Sequence, residues 1–227
     1  MVHPLIEAFE GKLIVSAQAY PGEPMRDPNT MKQIAQAAVI GGAAAIRVQG
    51  IDDIKATVPA VSVPVIGLWK DGKEGVFITP TLEHARAVAD AGAQIVAIDG
   101  TVRPRPDGLT LAQTFAGLRE SHPEVLIMAD CGSVEDAVAS QEAGADIIGT
   151  TLGGYTGARE KTHGPDVDFV REVAEACDKP IVAEGRVYSP ADAVSMLNAG
   201  AYSVCVGTAI THPSTITGWF VSALEAR

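Results

Sequence analysis

A glycine-bearing phrase occurs four times in this chain of 227 residues and constrains the fold more than any other feature. Each copy follows a stretch with helical periodicity and leads into a short apolar run. The glycines are Gly42, Gly92, Gly144 and Gly200, so successive copies lie 50, 52 and 56 residues apart. A glycine in this position is typical of a helix C-cap that is followed by a buried strand.

Four further apolar runs lie between and around the copies, which gives eight candidate strands. We predict these strands at residues 13–17, 44–49, 64–68, 95–99, 125–130, 146–150, 180–184 and 203–207. Each connection is long enough for the crossover helix that parallel strands require. Eight such units are typical of a (β/α)8 TIM barrel in the α/β class. We therefore predict one barrel domain over residues 1–227, with a short extra helix at 5–9 and a final helix at 213–224.

An open doubly wound sheet is the alternative architecture. It normally carries a G-x-G-x-x-G phosphate-binding turn after its first strand. The first predicted strand is followed instead by Gln18-Ala-Tyr-Pro-Gly-Glu-Pro, which lacks that pattern. The barrel is therefore the favoured fold.

The composition excludes several classes of function. A formal net charge of −11 argues against nucleic acid as a partner, because a phosphate backbone needs a basic face. No apolar run is long enough to span a membrane, and no signal peptide is visible at the amino end. Cys131, Cys177 and Cys205 are widely spaced and odd in number. We expect them to be buried thiols of a cytoplasmic protein rather than a disulfide framework or a zinc site.

Polar residues at the ends of the predicted strands are the candidate functional residues, because TIM-barrel sites are built at that edge. They are Ser16, Gln18, Arg47, Gln49, Lys70, Asp99, Asp130, Thr150, Thr151, Glu184, Gly207 and Thr208. Lys70 ends a buried run, which lowers the pKa of a lysine and makes a neutral amine available. Such an amine can remove a proton or form a Schiff base. Glu184 and Asp130 can orient it, bind sugar hydroxyls or move a proton.

The turns after strands seven and eight suit an anionic ligand. Gly185-Arg186 and Gly207-Thr208 occupy the loops that usually bind phosphate in this barrel. Arg47 and Arg186 carry planar cations suited to anions. None of the five histidines closes a predicted strand, so we predict no metal site. His212, just after the second turn, is a candidate ligand contact.

Many short blocks, in order, carry a resemblance over nearly the whole chain. They are Val15-Ser-Ala-Gln-Ala, Pro21-Gly-Glu-Pro, Ala45-Ile-Arg-Val, Gln49-Gly, Pro64-Val-Ile-Gly, Lys70, Val76-Phe-Ile-Thr-Pro-Thr, Ile98-Asp-Gly-Thr, Arg103-Pro-Arg-Pro, Ala129-Asp-Cys, Gly149-Thr-Thr-Leu-Gly-Gly-Tyr-Thr, Ala183-Glu-Gly-Arg and Val206-Gly-Thr-Ala-Ile-Thr. With these blocks the sequence resembles the bacterial N-acetylmannosamine-6-phosphate 2-epimerases of sialic-acid catabolism.

The resemblance implies a TIM-barrel N-acylglucosamine-6-phosphate 2-epimerase that needs no metal or other cofactor. It would interconvert N-acetylmannosamine 6-phosphate and N-acetylglucosamine 6-phosphate by removing and returning the C2 proton of the open sugar. Its partners would be this amino-sugar phosphate and a second copy of the chain in a homodimer, with no nucleic acid or membrane. The implied catalytic residues are Lys70 and Glu184. The implied substrate contacts are Gln18, Arg47, Asp130, Tyr155 and Thr156, and the implied phosphate contacts are Gly185, Arg186, Gly207 and Thr208.

Three features depart from the pattern of that family. Ala17 stands where members often have cysteine, and His212 stands where they often have arginine. The loop at residues 71–75 is short and rich in glycine. We expect His212 to weaken the phosphate site or to make it more dependent on pH. The residues alone also leave open a Schiff-base lyase, another metal-free phosphosugar isomerase and a non-catalytic sugar-phosphate binding protein.

Overall fold

The computed structural model describes residues 2–227 and shows a closed barrel of eight parallel strands. Each strand pairs with the next one in the chain, and the last pairs with the first. The strands are β1 Leu13–Ala17, β2 Ala45–Gln49, β3 Val65–Leu68, β4 Ile95–Asp99, β5 Leu126–Asp130, β6 Ile147–Gly149, β7 Ile181–Glu184 and β8 Ser203–Val206. The predicted TIM barrel is confirmed, each strand end falls within one residue of its prediction, and the open-sheet alternative is wrong.

Helices fill every connection between the strands and surround the barrel. They are α1 Pro4–Glu7, α2 Pro28–Ile40, α3 Ile51–Thr57, α4 Leu82–Asp90, α5 Leu111–Ser121, α6 Val134–Ala143, α7 Val167–Ala176, α8 Pro190–Asn198, α9 Thr208–Thr211 and α10 Pro213–Glu225. A short 3-10 turn, Val58–Ala60, follows α3. Side chains of Asp27, Thr81 and Ser133 accept hydrogen bonds from the first turns of their helices, as N-cap residues do.

The four repeated glycines have the backbone conformation that the sequence pattern requires. Their φ angles are 98° at Gly42, 99° at Gly92, 100° at Gly144 and 107° at Gly200. This left-handed region favours glycine, because other residues would bring their Cβ too close to the backbone. Each glycine therefore ends a helix and turns the chain into the next strand.

Alternate residues of the strands face two separate apolar layers. Outward residues such as Ile46, Val96 and Ile127 pack with the surrounding helices. Inward residues such as Ile14 and Met128 fill the barrel, and Ile6 and Phe9 from the chain before β1 join the same cluster. The interior is thus packed with apolar side chains, and the inward polar groups are left at the carboxyl ends of the strands, where function is expected.

Two further expectations concern the whole chain. Cys131, Cys177 and Cys205 are buried free thiols, as predicted. Among residues 2–227, no helix is both long enough and apolar enough to cross a membrane.

Candidate active site

A cavity of about 680 Å³ opens at the carboxyl ends of the strands. It is lined by strand ends and by the loops that follow β1, β3, β6, β7 and β8. The lining includes these residues from the predicted ring: Ser16, Gln18, Arg47, Gln49, Lys70, Thr151, Glu184, Gly207 and Thr208. The fold therefore brings most of the predicted strand-end residues to one cavity.

Arg47 lies at the base of this cavity and is 1% exposed. Its Nη1 and Nη2 donate to Asp130 Oδ1 and Oδ2 at 3.0 and 2.6 Å, and Nη1 also donates to Glu184 Oε2 at 2.7 Å. The guanidinium fork suits this paired contact with a carboxylate. Burial lowers the pKa of Arg47, but the charges of Asp130 and Glu184 outweigh burial and raise that pKa. Arg47 is thus a permanent cation between two carboxyl groups.

Glu184 ends β7 and is held by the two threonines that follow β6. Its main-chain N–H donates to Thr150 Oγ1 and its C=O accepts from that hydroxyl, each at 3.0 Å, and its Oε2 lies 3.3 Å from Thr151 Oγ1. Burial raises the pKa of Glu184; the charge of Arg47 opposes this rise and that of Asp130 adds to it. Burial therefore makes Glu184 hold a proton more readily than an exposed glutamate does.

Lys70 reaches the cavity from the loop after β3. Its Nζ donates to Gln18 Oε1 at 2.8 Å. The Gln18 amide in turn donates to Ser16 Oγ at 2.8 Å, which fixes the amide with its oxygen toward Lys70. Burial lowers the pKa of Lys70 to about 8, and the charge of Arg47 contributes to this lowering. A substantial fraction of Lys70 is therefore neutral near physiological pH, as the sequence position predicted.

Asp130 lies behind the cavity wall rather than on it. The side chain is fully buried, and both oxygens accept from Arg47. Oδ1 also accepts from Thr151 Oγ1 at 2.7 Å. With its oxygens taken by these donors, Asp130 acts on the site through Arg47 and Thr151. The structure therefore does not bring Asp130 to the cavity as the predicted substrate contact.

The loop after β6 places its two predicted residues differently. Tyr155 lines the cavity, with its ring 5.3 Å from the Arg186 guanidinium carbon. Thr156 packs against the backbone after β5, so that a Cβ added at Gly132 would lie 2.5 Å from Thr156 Oγ1. Tyr155 is thus positioned to contact a ligand, whereas Thr156 fills the space beside Gly132.

Arg186 lines the cavity, and its side chain bonds to the loop after β6. Its Nε donates to Gly164 O at 3.0 Å, its Nη1 to Gly153 O at 3.0 Å and its Nη2 to Thr162 Oγ1 at 3.0 Å. Gly185 and Arg186 have φ angles of 113° and 57° and form a tight turn after β7. The side chain therefore fastens the loop after β6 to the turn after β7.

The turn after β8 forms the neighbouring wall. A Cβ added at Gly207 would lie 3.3 Å from Ser16 Cβ, so glycine lets this turn approach β1. Helix α9 begins immediately afterwards at Thr208. These positions agree with the predicted phosphate contacts, although their role stays a prediction.

His212 closes the same side of the cavity. It is 3% exposed, and its ring packs on Tyr20 with the ring centres 4.8 Å apart. Its Nδ1 lies 3.7 Å from Glu23 Oε1. His212 and Tyr20 both line the cavity. The departure from the family pattern therefore falls within the site.

Asp99 does not take part in the cavity, although it ends β4 as predicted. Its Oδ1 accepts from Thr101 Oγ1 at 2.6 Å, and its Oδ2 accepts from Arg103 Nη2 at 2.8 Å. Thr101 and Arg103 border a second cavity of about 570 Å³ between this loop and α6. The carboxylate of Asp99 thus organises the loop after β4.

Cys205 lines the cavity, although its apolar sequence surroundings predicted only a buried core thiol. It lies opposite Glu184 in the register of β7 and β8. Burial raises the pKa of its thiol well above the usual range. The sequence could have indicated this position. Side chains alternate between the two faces of a strand, and Cys205 lies two positions before Gly207, so the two share a face.

Across the described range 2–227, the structure contains no group of three or more His, Cys, Asp or Glu side chains that could hold a metal ion. The expectation that no metal or other cofactor is needed stays a prediction.

Comparisons with known proteins agree over nearly the whole chain. The family model described as "Putative N-acetylmannosamine-6-phosphate epimerase" matches residues 31–226. The "Putative N-acetylmannosamine-6-phosphate 2-epimerase" of Cutibacterium acnes is 54% identical over 223 residues, covering 97% of each chain. The protein of the same name from Caldanaerobacter subterraneus is 45% identical over 225 residues, covering 98% of this chain and 95% of its own.

A comparison with solved structures points to the same family as the sequence comparisons. The solved N-acetylmannosamine-6-phosphate 2-epimerase of Clostridium perfringens superposes with a TM-score of 0.93 at 33% identity, covering 97% of this chain and 96% of its own. The chain belongs to the N-acetylmannosamine-6-phosphate epimerase family.

Proposed function

We propose that this protein interconverts N-acetylmannosamine 6-phosphate and N-acetylglucosamine 6-phosphate by inverting C2. The observation that carries the proposal is the Lys70 amine, whose pKa burial lowers to about 8, in one cavity with Glu184. The family membership supports the choice of substrate, including an acetyl group as the acyl group. Neutral lysine and a protonated carboxyl group are the two proton-transfer groups that an inversion needs.

The first step is removal of the C2 proton. This hydrogen is acidic only when the sugar ring is open and C1 is an aldehyde. Lys70 takes the proton, the C2–H electron pair becomes the C1–C2 double bond, and the carbonyl pair moves onto O1. The Arg47 cation lies in the same wall and would stabilise this enolate charge.

The second step returns a proton to the opposite face of C2. Glu184 is the proposed source, either directly or through a substrate hydroxyl whose proton it helps to move. The rise of the Glu184 pKa on burial supports this role, because the group must carry a proton when the enolate forms. In the reverse direction Lys70 and Glu184 exchange roles.

The remaining residues would bind the phosphorylated sugar. We propose that the backbone turns at Gly185-Arg186 and Gly207-Thr208 bind the phosphate, with His212 beside them. Gln18 and Tyr155 would contact the sugar and its acetyl group. Local donors of this kind allow an anionic substrate to bind a chain whose net charge is −11.

The test is epimerisation in deuterated water with no added metal, followed at C2 by proton NMR. We expect the second epimer to appear with deuterium at C2. Lys70→Ala should lower the exchange rate by about 10²- to 10⁴-fold while phosphosugar binding persists. Lys73→Ala is the matched control, because Lys73 lines the same cavity without contacting Gln18 in the way that Lys70 does.

Two outcomes would contradict the proposal. Near-parental turnover by Lys70→Ala would exclude Lys70 as the base. A covalent adduct on Lys70 after treatment with N-acetylmannosamine 6-phosphate and borohydride would indicate Schiff-base chemistry instead.

We also propose that the protein is a cytoplasmic homodimer. Helix α10 presents Trp219, Phe220, Val221 and Leu224 to solvent, with exposures of 39, 70, 45 and 58%. An apolar helix face of this kind is typical of a contact between subunits. Sedimentation equilibrium should give twice the chain mass, and Phe220→Glu should shift the protein toward monomer. A parent protein that sediments as a monomer at all concentrations would exclude the dimer.

A further inference from the structure

Strands β3 and β4 stop pairing with each other before they reach the carboxyl end of the barrel. Direct pairing of the two strands reaches Gly67 opposite Val96. Continued for two more residues, a parallel ladder would join the Trp69 N–H to the Ala97 carbonyl and the Asp99 N–H to the Trp69 carbonyl. All four groups bond instead to residues 78 and 79, which lie between the strands.

Thr79 makes three of these bonds. Its Oγ1 accepts from the Trp69 N–H at 3.1 Å and donates to the Ala97 carbonyl at 2.6 Å. Its N–H donates to the Trp69 carbonyl at 2.7 Å, while the Asp99 N–H donates to the Ile78 carbonyl at 2.9 Å. One hydroxyl thus replaces one ladder bond, and the Ile78–Thr79 peptide replaces the next.

The backbone of Thr79 has a conformation that its own side chain disfavours. Its φ is 47°, and the residue is fully buried. Positive φ is a genuine outlier for a β-branched residue. The following Pro80 also favours an extended conformation at this position. Such strained residues persist where the surrounding structure over-determines them, and they cluster at functional sites.

Lys70 is the residue whose backbone this arrangement holds. It pairs with Ile78 in an isolated antiparallel bridge. The preceding residue, Trp69, is bonded to Thr79. The following residue, Asp71, donates its N–H to the Phe77 carbonyl at 3.0 Å. From this fixed backbone the Lys70 side chain reaches across the cavity to Gln18.

We propose that Thr79 is a positioning residue for Lys70. Its hydroxyl and N–H keep the ends of β3 and β4 apart, and this separation directs the Lys70 amine into the cavity. The inference rests on the proposed function in one respect, namely that Lys70 is the base whose position matters.

Two substitutions at Thr79 test the role of its hydroxyl separately from the role of its positive φ. Thr79→Gly tolerates positive φ but lacks the hydroxyl, so the variant is expected to fold. Thr79→Ser keeps the hydroxyl and is the matched control. The measurements are kcat and KM per folded molecule, together with direct titration of Lys70 by NMR of carbon-13-labelled lysine, with Lys70→Arg assigning the signal.

We expect Thr79→Gly to lower kcat by about 10- to 100-fold with little change in KM, since misplacing a reacting group by about 1 Å can cost this much. The Lys70 pKa should rise from about 8 toward its ordinary value as the amine loses its buried position. Thr79→Ser should resemble the parent in both measurements.

An unchanged Lys70 titration and kcat in a folded Thr79→Gly variant would overturn the positioning role. That result is distinct from failure of the proposed function, which would appear as absence of C2 exchange in the parent protein. The NMR titration reads the position of Lys70 without relying on activity. A purely structural role for Thr79 would lower the unfolding temperature but leave the pKa of Lys70 where it is.

Discussion

Replacing Gln18 by glutamate tests whether Lys70 is the base, because the change adds a charge while nearly keeping the shape. Gln18 Oε1 accepts from Lys70 Nζ at 2.8 Å, so a carboxylate there would face the ammonium directly. A negative charge favours the protonated amine and therefore raises the pKa of Lys70. Since the base must be neutral, the rising limb of the pH–rate profile must move to higher pH.

The magnitude follows from the geometry of the contact. Two unit charges about 4 Å apart interact by about 4 kcal/mol at an effective dielectric constant of about 20. This attraction is offset in part by the loss of the neutral hydrogen bond that Gln18 makes and by water in the open cavity. The remainder corresponds to a rise of about 2 units in the Lys70 pKa, at about 1.36 kcal/mol per unit. From a parent pKa of about 8, the neutral fraction of Lys70 at about pH 7.5 would then fall roughly 75-fold.

The assay is kcat/KM for C2 epimerisation against pH, in the direction in which Lys70 removes the proton. We expect the midpoint of the rising limb to move upward from about 8 in Gln18→Glu, with kcat/KM below that of the parent near neutral pH. Gln18→Met removes the hydrogen-bond acceptor without adding charge and should not move the midpoint upward. A Gln18→Glu profile with an unshifted midpoint would refute the assignment of Lys70 as base.

Two other substitutions have defined outcomes. Arg47→Met leaves Asp130 and Glu184 buried without their cation and should destabilise the fold by about 3–5 kcal/mol in urea unfolding, with part restored by adding Asp130→Asn. No recovery in the double variant would mean that Arg47 stabilises by packing rather than by charge. His212→Ala should raise KM for the phosphorylated sugar roughly 2- to 10-fold, the equivalent of one hydrogen bond, with little change in kcat. An unchanged KM would remove His212 from the phosphate site.

The fold could be predicted because its determinants are local. A glycine with positive φ marks the turn from helix to strand, and this signal lies within a few residues of Gly42, Gly92, Gly144 and Gly200. The ring of polar residues followed from the same logic, since parallel strands of a barrel end at one edge. Neither inference needed to know which distant residues would meet.

The roles within the ring depend on distant contacts, and these could not be predicted. Asp99 and Asp130 end neighbouring strands in direct register. Asp130 meets Arg47, which lies 83 positions away in the chain, whereas Asp99 bonds to Thr101 and Arg103 in its own loop. The sequence shows two equivalent acids, and only the packing of the loops makes them different.

Arg186 shows the same limit for a cation. Its position in a turn after β7 suggested a guanidinium facing the ligand. The loop after β6 supplies the oxygens of Gly153, Thr162 and Gly164, and these accept from the side chain. Because that loop has no regular structure, its path over the barrel could not be derived from periodicity.

The charges of the site explain how a proton can be removed from one face of C2 and another added to the opposite face at little electrostatic cost. Arg47 forms a buried ion pair with Asp130 and also donates to Glu184, and in the proposed mechanism Lys70 and Glu184 are the two groups that change protonation. In the proposed mechanism both are neutral before the reaction. After Lys70 has taken one proton and Glu184 has given another, they are a cation and an anion. The net charge of the buried site is the same in the two states, so neither direction of epimerisation leaves an uncompensated charge in a medium that solvates it poorly.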